Sequence, residues 1–177
     1  MLRLLSLSAA LLAAAATAAP KEVASMTLTS PAFSANGSIP SRHTCDGDDV
    51  SPALQWSGVP SGTKSLALVV ADPDAPDPKA PKMTWVHWVL YDVSPDTKGL
   101  PEGGTLPSGA REGNNDWGKT GWRGPCPPVG RHRYVHTLYA LDTVLPDLAH
   151  PTRAKLLKAM EGHVLGTAEL IGTYQHP

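Results

Sequence analysis

Proline and glycine interrupt this 177-residue chain so often that few of its segments can form a helix of ordinary length. The sequence contains 18 prolines and 16 glycines. Proline breaks helix interiors, and both residues favour turns. Short apolar runs lie between these interruptions from residue 21 onward. The pattern predicts one mainly β domain over residues 26–177, built from antiparallel strands and long loops.

Two consecutive apolar runs predict neighbouring strands in the middle of the sheet. Ser65–Ala71 is apolar on both faces, which is typical of a strand covered from both sides, and it ends directly at Asp72. Thr84–Tyr91 follows as the next strand, where strict alternation places His87 on one face. The face predicted for His87 also carries Trp85, Val89 and Tyr91.

A third strand is predicted after a loop stiffened by proline. Three of the four residues Pro125–Pro128 are prolines, so this stretch can be neither a helix nor a central strand. The run Arg131–Leu141 that follows is β-branched and aromatic. Alternation places His132, Tyr134 and His136 on one face of it, so the loop and this face could form one pocket.

The remaining elements are predicted with less detail. Met26–Thr29 and Ser51–Trp56 read as short strands, and Val164–Tyr174 reads as a closing strand. Pro151–Glu161 is the one segment predicted to be a helix, because its apolar residues recur at helical spacing and Gly162 follows it. Residues 92–122 show no sustained period and are predicted to run over the surface.

The first 18 residues have the pattern of a secretory signal. Arg3 precedes an apolar stretch that ends in small residues at Ala16–Ala18. The alternative is a buried or membrane-anchoring helix, but the apolar part is short for a membrane span. The sequence therefore predicts export to the periplasm or secretion, and it contains no later run long enough to cross a bilayer.

Charge and motifs exclude several functions. The formal net charge is −1 and the isoelectric point is about 6.6, so the chain lacks the basic surface that nucleic-acid binding needs, and we expect no nucleic-acid partner. It contains no Gly-x-Ser-x-Gly, His-Glu-x-x-His or phosphate-cradling glycine motif. We therefore expect neither enzymatic activity nor a cofactor or metal.

The two cysteines of the chain are consistent with the predicted export to an oxidising compartment. Cys45 and Cys126 are the cysteines of a chain that is predicted to be exported, and oxidising compartments favour disulfides. We expect them to form one disulfide. The alternative is a pair of free, buried thiols.

Five spaced motifs occur in a recognisable order along the chain: Asp72–Pro76, Trp85–Trp88, Gly113–Gly121, Gly124–Pro128 and His132–Tyr134. Taken together, they resemble the phosphatidylethanolamine-binding protein family, which includes the Raf kinase inhibitor proteins, and especially its bacterial and archaeal branch. The resemblance covers nearly the whole chain after the signal.

The resemblance implies a large antiparallel sheet packed on a smaller one, with one helix near the C-terminus, and a compact pocket for phosphate, acetate or a phosphorylated head group. Histidine and tyrosine can donate hydrogen bonds to anionic oxygens, and an aspartate can orient a histidine or accept from a phosphate hydroxyl, so the chemistry agrees. The implied ligand-binding residues are Asp72, Asp74, His87, Pro125, Pro127, His132 and Tyr134.

Three functions follow from these residues. The first is a non-enzymatic protein that binds a small anion or a phosphorylated head group. The second is a serine-protease inhibitor that acts through an exposed loop within residues 92–122, since some members of the family act in this way. The third is a metal-dependent hydrolase that uses Asp72, His87 and His132, which are residue types that zinc accepts. We rank the hydrolase last, because no nucleophile motif accompanies it.

Overall fold

The computed structural model describes residues 23–177, and the predicted signal, residues 1–18, lies outside the described residues. Within residues 23–177 the chain forms nine strands, one α-helix and a single 3-10 turn at Ser41–His43. The strands are β1 Ala24–Ser25, β2 Thr27–Thr29, β3 Leu54–Ser57, β4 Ser65–Asp72, β5 Trp85–Val93, β6 Gly99–Leu100, β7 Arg111–Glu112, β8 Arg131–Leu141 and β9 Val164–Gln175, and the helix is α1 Arg153–Met160.

The strands form a six-stranded and a three-stranded sheet, which confirms the predicted fold class. The large sheet has the order β1-β9-β8-β4-β5-β7, and the small one has the order β2-β3-β6. All pairs are antiparallel except β1 with β9 at the edge of the large sheet, which is parallel. Three adjacent strands of the large sheet, β8, β4 and β5, carry four of the predicted site residues, Asp72, His87, His132 and Tyr134.

Each face of the large sheet has its own apolar core. One core fills the space between the two sheets, where Leu68 and Leu138 of the large sheet pack with Trp56 of the small one. The other lies on the opposite face, where Leu156 and Met160 of α1 cover β4 and β5. Because β4 is covered from both sides, every residue of it is buried, as its unbroken apolar sequence predicts.

A β-bulge in β5 reverses the alternation that the sequence predicts for His87. Val70 of β4 pairs with Trp88, but the next residue, Ala71, pairs with Val86. One extra residue, His87, is therefore inserted between the two pairs. Such an insertion changes which face of the sheet the neighbouring side chains point to. The predicted face of His87 is wrong, because the bulge turns it away from the face of Val89 and toward β8, where its ring contacts Tyr134.

Residues 92–122 run over the surface and include the short strands β6 and β7. Each of these strands has two residues, and each pairs with the edge of an existing sheet, β6 with β3 and β7 with β5. Within residues 23–177 there is no helix whose length and hydropathy would let it span a membrane.

A disulfide and a close backbone contact hold the proline loop against the loop that follows the 3-10 turn. Cys45 and Cys126 are bonded, with their Cα atoms 5.5 Å apart and 81 positions apart in sequence. The backbone N–H of Gly124 donates to Asp49 Oδ1 at 2.6 Å. A Cβ atom at Gly124 would lie 2.3 Å from the carbonyl oxygen of His43, so only glycine fits this approach.

We predict that replacing both cysteines, Cys45→Ser with Cys126→Ser, lowers the free energy of unfolding by up to about 4.5 kcal/mol. A crosslink that closes a loop of this length lowers the conformational entropy of the unfolded chain. In the chain-entropy model, the lost entropy corresponds to about 4.5 kcal/mol of stabilisation. Urea denaturation of the wild-type and double-variant proteins measures the difference. Two titratable thiols in the folded, air-oxidised wild-type protein would contradict the prediction.

Candidate functional site

A pocket of about 310 Å³ opens where the ends of β4, β5 and β8 meet the proline loop. Most of its lining surface is apolar, and four nearly buried polar side chains, Asp72, His87, His132 and Tyr134, lie at its base. Apolar and aromatic side chains form its rim, of which Met83 is 52% exposed and Trp117 is 37% exposed. The lining residues are Asp72, Ala75, Pro76, Met83, Trp85, His87, Trp117, Cys126, Pro127, Pro128, His132 and Tyr134.

Asp72 and His132 form a hydrogen-bonded chain at the base of the pocket. His132 Nδ1 lies 2.7 Å from Asp72 Oδ2, and His132 Nε2 lies 2.9 Å from the carbonyl oxygen of Val129. The other carboxylate oxygen of Asp72 accepts from the backbone N–H of Asp74 at 2.8 Å. Both ring nitrogens of His132 are therefore occupied by atoms of the protein.

The positions of these atoms determine how many protons the Asp72–His132 pair carries. A carbonyl oxygen only accepts, so Nε2 of His132 carries a hydrogen. A second hydrogen lies between Nδ1 and Oδ2, because two lone pairs would otherwise face each other at 2.7 Å. Burial raises the pKa of the Asp72 carboxyl, while the hydrogen bond from His132 acts in the opposite direction.

His87 presents a lone pair rather than a proton to the pocket. Its Nδ1 lies 2.5 Å from the carbonyl oxygen of Arg123, so this nitrogen is the donor. The side chain is 2% exposed, and this burial lowers its pKa to about 4, so that the ring is neutral at pH 7. The backbone of Gly124 also acts on this ring and, like that of Arg123, opposes the lowering of its pKa. The other nitrogen, Nε2, is the acceptor of the neutral ring.

Tyr134 contributes a neutral donor. Its ring packs edge-on against that of His87, with the centroids 5.1 Å apart. Burial and then the negative charges of Asp72 and Asp74 raise the pKa of the Tyr134 hydroxyl well above its usual value, so it keeps its proton. No hydrogen bond is made by this hydroxyl within the described part of the chain, so it is available to a ligand.

Two of the predicted site residues lie outside the pocket lining. The carboxylate of Asp74 is bound by the guanidinium of Arg133, with contacts of 2.6 and 3.0 Å, and also accepts from the Arg133 backbone N–H. This arginine lowers the pKa of the Asp74 carboxyl. Pro125 lies behind the lining, where its carbonyl oxygen accepts from the N–H of Cys45. The other five predicted residues, Asp72, His87, Pro127, His132 and Tyr134, line the pocket together.

The aromatic and apolar rim was not predicted. Trp117 packs edge-on against both Trp85 and His87, with centroid distances of 5.3 and 5.2 Å. Trp117 belongs to the motif Gly113–Gly121, and Trp85 and His87 belong to the motif Trp85–Trp88, so both tryptophans lie in segments that carry the family resemblance. No signal in the sequence indicated that Met83 lies at the same opening.

The donor set does not fit a metal ion. A zinc site takes three or four protein ligands, but both nitrogens of His132 and both oxygens of Asp72 already have protein partners. Within the described residues, the one group of three residues with ligand spacing consists of Cys45, Cys126 and His176. Its two sulfurs are bonded to each other, so they are not thiolate ligands.

His136 lies on the same face of β8 as His132 and Tyr134, but behind the pocket. It is fully buried, and its Nδ1 donates to the carbonyl oxygen of Tyr134 at 3.1 Å. Its Nε2 has no hydrogen-bond partner among the described residues, and its ring stacks on that of Trp122. Burial lowers the pKa of His136 to about 4.

Comparisons with known proteins agree with the resemblance that the motifs indicate. A sequence profile for the phosphatidylethanolamine-binding protein family matches residues 29–175. A UPF0098 protein from Methanothermobacter thermautotrophicus is 52% identical over 154 residues, covering 85% of this chain and 99% of that protein. The crystal structure of a phosphatidylethanolamine-binding protein homologue from Chlamydia trachomatis is 44% identical, has a TM-score of 0.81, and is matched over 86% of this chain and 99% of its own.

A more distant structure shares the fold alone. It is a carboxypeptidase Y inhibitor complexed with its cognate proteinase, with 19% identity, a TM-score of 0.50, and coverage of 86% of this chain and 83% of that one.

The two buried histidines predict a loss of stability in mild acid. An unfolded histidine has a pKa of about 6.5, whereas the folded values for His87 and His136 are about 4. Between these values the unfolded chain binds protons that the folded protein does not. The free energy of unfolding therefore falls as the pH falls from 6.5 to 4, by up to about 1.4 kcal/mol per pH unit for each histidine.

The variant His136→Phe tests this prediction. Phenylalanine keeps an aromatic ring beside Trp122 and removes one of the two titrating groups. We expect the slope of unfolding free energy against pH between 6.5 and 4 to decrease by about one proton equivalent. Urea denaturation at pH 4.5, 5.5 and 6.5 gives the slope, and parallel curves for the wild-type protein and the variant would contradict the prediction.

Proposed function

Because the chain belongs to the phosphatidylethanolamine-binding protein family, we propose that it is an exported, non-enzymatic protein that binds a small anion or a phosphorylated head group in the pocket of Tyr134 and His87. The observation that carries this proposal is a donor, the Tyr134 hydroxyl, and an acceptor, the neutral His87 ring, that line one pocket with their rings in contact. A few convergent polar groups in an otherwise apolar pocket are typical of a small-molecule site, where they fix the orientation of the ligand.

The shape of the pocket supports a ligand with a polar end and an apolar remainder. The polar groups lie at the base, whereas Met83, Trp85 and Trp117 surround the opening. A phosphate or similar group can occupy the base while the rest of the ligand contacts the aromatic rim. The absence of a nucleophile beside a base in this lining supports binding without catalysis.

Export and the disulfide are consistent with each other. The first 18 residues have the signal pattern, and Cys126, which lines the pocket, is bonded to Cys45. An oxidising compartment preserves this bond. We therefore place the ligand, within this proposal, in the periplasm or outside the cell.

We predict that Tyr134→Phe weakens the binding of inorganic phosphate at pH 6.5 by about 10-fold to 100-fold. The substitution removes only the hydroxyl, and a hydrogen bond to a charged group contributes about 1.5–3 kcal/mol. Isothermal titration calorimetry with phosphate measures the change.

Tyr139→Phe is the matched control for this experiment. Tyr139 lies on the same strand but packs against the core beneath α1, on the opposite face of the sheet. We expect its removal of a hydroxyl to leave phosphate affinity unchanged. Equal affinities in the wild-type protein and Tyr134→Phe would remove the main support for an anion site.

A loop closed around Asn115 favours serine-protease inhibition as a second candidate function. Asn115 is 4% exposed, and its side chain accepts from the backbone N–H groups of Trp117 and Lys119 and donates to the carbonyl of Gly121. Residues 116–120 are exposed. An exposed loop that is held rigid from within can bind a protease without the ordering cost that a flexible substrate has.

The exposed basic residue of this loop, Lys119, favours proteases that cleave after basic residues. In this second candidate function, the protein inhibits trypsin and remains uncut, and Lys119→Ala abolishes the inhibition. Lys158→Ala, an exposed lysine on α1, is the control and is expected to inhibit like the wild-type protein. A chromogenic trypsin assay with mass analysis of the recovered chain decides the question, and cleavage after Lys119 would contradict inhibition.

A further inference from the structure

Met83 is the exposed residue among the methionines that the structure describes. It lines the opening of the pocket and is 52% exposed, whereas Met26 is 6% exposed and Met160 is 1% exposed. Met26 packs in the core between the two sheets, and Met160 packs in the core on the opposite face of the large sheet. A small oxidant in water therefore reaches the Met83 side chain without any change in the fold, but not the other two.

The backbone beside Met83 is held in place, so the side chain stays at the pocket. The N–H groups of Lys82 and Met83 both donate to the carbonyl oxygen of Ala75, at 2.9 and 3.2 Å. Ala75 is buried and lines the same pocket, and β5 begins two residues after Met83, at Trp85. The thioether is thus attached to an ordered segment at the rim.

The cysteines of the chain are not available as a reversible oxidation site at this pocket. Cys126 lines it, but its sulfur is bonded to that of Cys45, and the sequence contains no third cysteine. Formation of a sulfenic acid requires a free thiolate. Methionine sulfoxide is the other reversible product of sulfur oxidation in proteins, so Met83 is the sulfur at the pocket that can still be oxidised reversibly.

We propose that Met83 is a reversible oxidation site that controls how well the pocket binds ligands with an apolar part. A two-electron oxidant such as hydrogen peroxide transfers one oxygen atom to the sulfur. The thioether becomes a sulfoxide, and the peroxide leaves as water. A methionine sulfoxide reductase reverses the step with two electrons from a dithiol, which becomes a disulfide as the oxygen leaves in water.

The effect of oxidation on binding rests on the proposed function. Met83 lies with Trp85 and Trp117 at the rim, where the apolar part of a ligand would contact all three. A sulfoxide is polar, so an apolar group that covers it removes its hydrogen bonds to water without replacing them. The polar groups at the base of the pocket are unchanged. We therefore expect oxidation to weaken ligands that extend over the rim, but not an ion that occupies the base alone.

The first arm of the test locates the modification. The purified, folded protein is treated with dilute hydrogen peroxide, and peptide mass analysis follows the addition of one oxygen atom to each methionine over time. We expect Met83 to react at least about 10-fold faster than Met26 and Met160, because a buried side chain reacts only when the structure opens locally. The difference should disappear in concentrated urea, where the chain is unfolded. Equal rates in the folded protein would overturn the assignment of Met83.

The second arm measures binding with two probes, anilinonaphthalene sulfonate and inorganic phosphate. The dye carries an anionic group and an apolar ring system, so it tests the rim, whereas phosphate tests the base. We expect oxidation to weaken binding of the dye about 5-fold, since the exposed half of Met83 is the part that the dye covers. We expect phosphate affinity to stay unchanged, and treatment with methionine sulfoxide reductases to restore the affinity for the dye.

The variant Met83→Leu is the matched control, because leucine is apolar, similar in size and has no sulfur. We expect its affinity for the dye to be the same before and after peroxide treatment. Three results would overturn control of the pocket by Met83: equal dye affinity of the wild-type protein before and after complete oxidation, no dye binding at either stage, or an equal loss in Met83→Leu. Failure of the unoxidised protein to bind phosphate would overturn the proposed function, whereas selective oxidation of Met83 would still stand.

Discussion

The hydrogen bond between His132 Nδ1 and Asp72 Oδ2 is the interaction on which the candidate site depends. It joins the end of β4 to the start of β8, and the second ring nitrogen of His132 extends the connection to Val129 in the proline loop. On the other side of that loop, the disulfide at Cys126 ties it to Cys45. The loop is thus fixed at both ends, and the pocket is the space that remains between it and the sheet.

The sequence predicted the elements whose patterns are long and regular. The unbroken apolar run at β4 and the alternation along β8 were sufficient to place Asp72, His132 and Tyr134 at one end of the sheet. The helix was predicted at Pro151–Glu161 and occurs at Arg153–Met160, because Thr152 accepts from the N–H of Lys155 as its N-cap. The two-residue strands β6 and β7 are too short to show a hydrophobic alternation in the sequence. Each forms because it pairs with the edge strand of a sheet, β6 with β3 and β7 with β5.

The remaining errors concern strand alignment and the hydrogen-bond partner of each side chain. Neither can be read from the pattern of residues along the sequence. The bulge at His87 depends on how β4 and β5 align, so alternation alone assigned the wrong face. Asp74 and Asp72 are nearly adjacent in sequence and similar in chemistry, yet Arg133 binds one and His132 binds the other. The family resemblance supplied the pocket residues as a group, whereas the direction of each hydrogen bond required the positions of backbone carbonyls in Arg123 and Val129.

Among the residues that the structure describes, no lysine or arginine lines the pocket, and this has a consequence for how fast the ligand of the proposed function would arrive. Phosphate sites with fixed cations draw their ligands in through a long-range field that raises association rates roughly 10-fold to 1000-fold and weakens as salt is added. A lining without such a cation exerts little force beyond contact distance. For the anion of the proposed function, encounter would then be governed by diffusion and by the size of the opening, so capture would proceed at nearly the same rate in dilute and in salty surroundings.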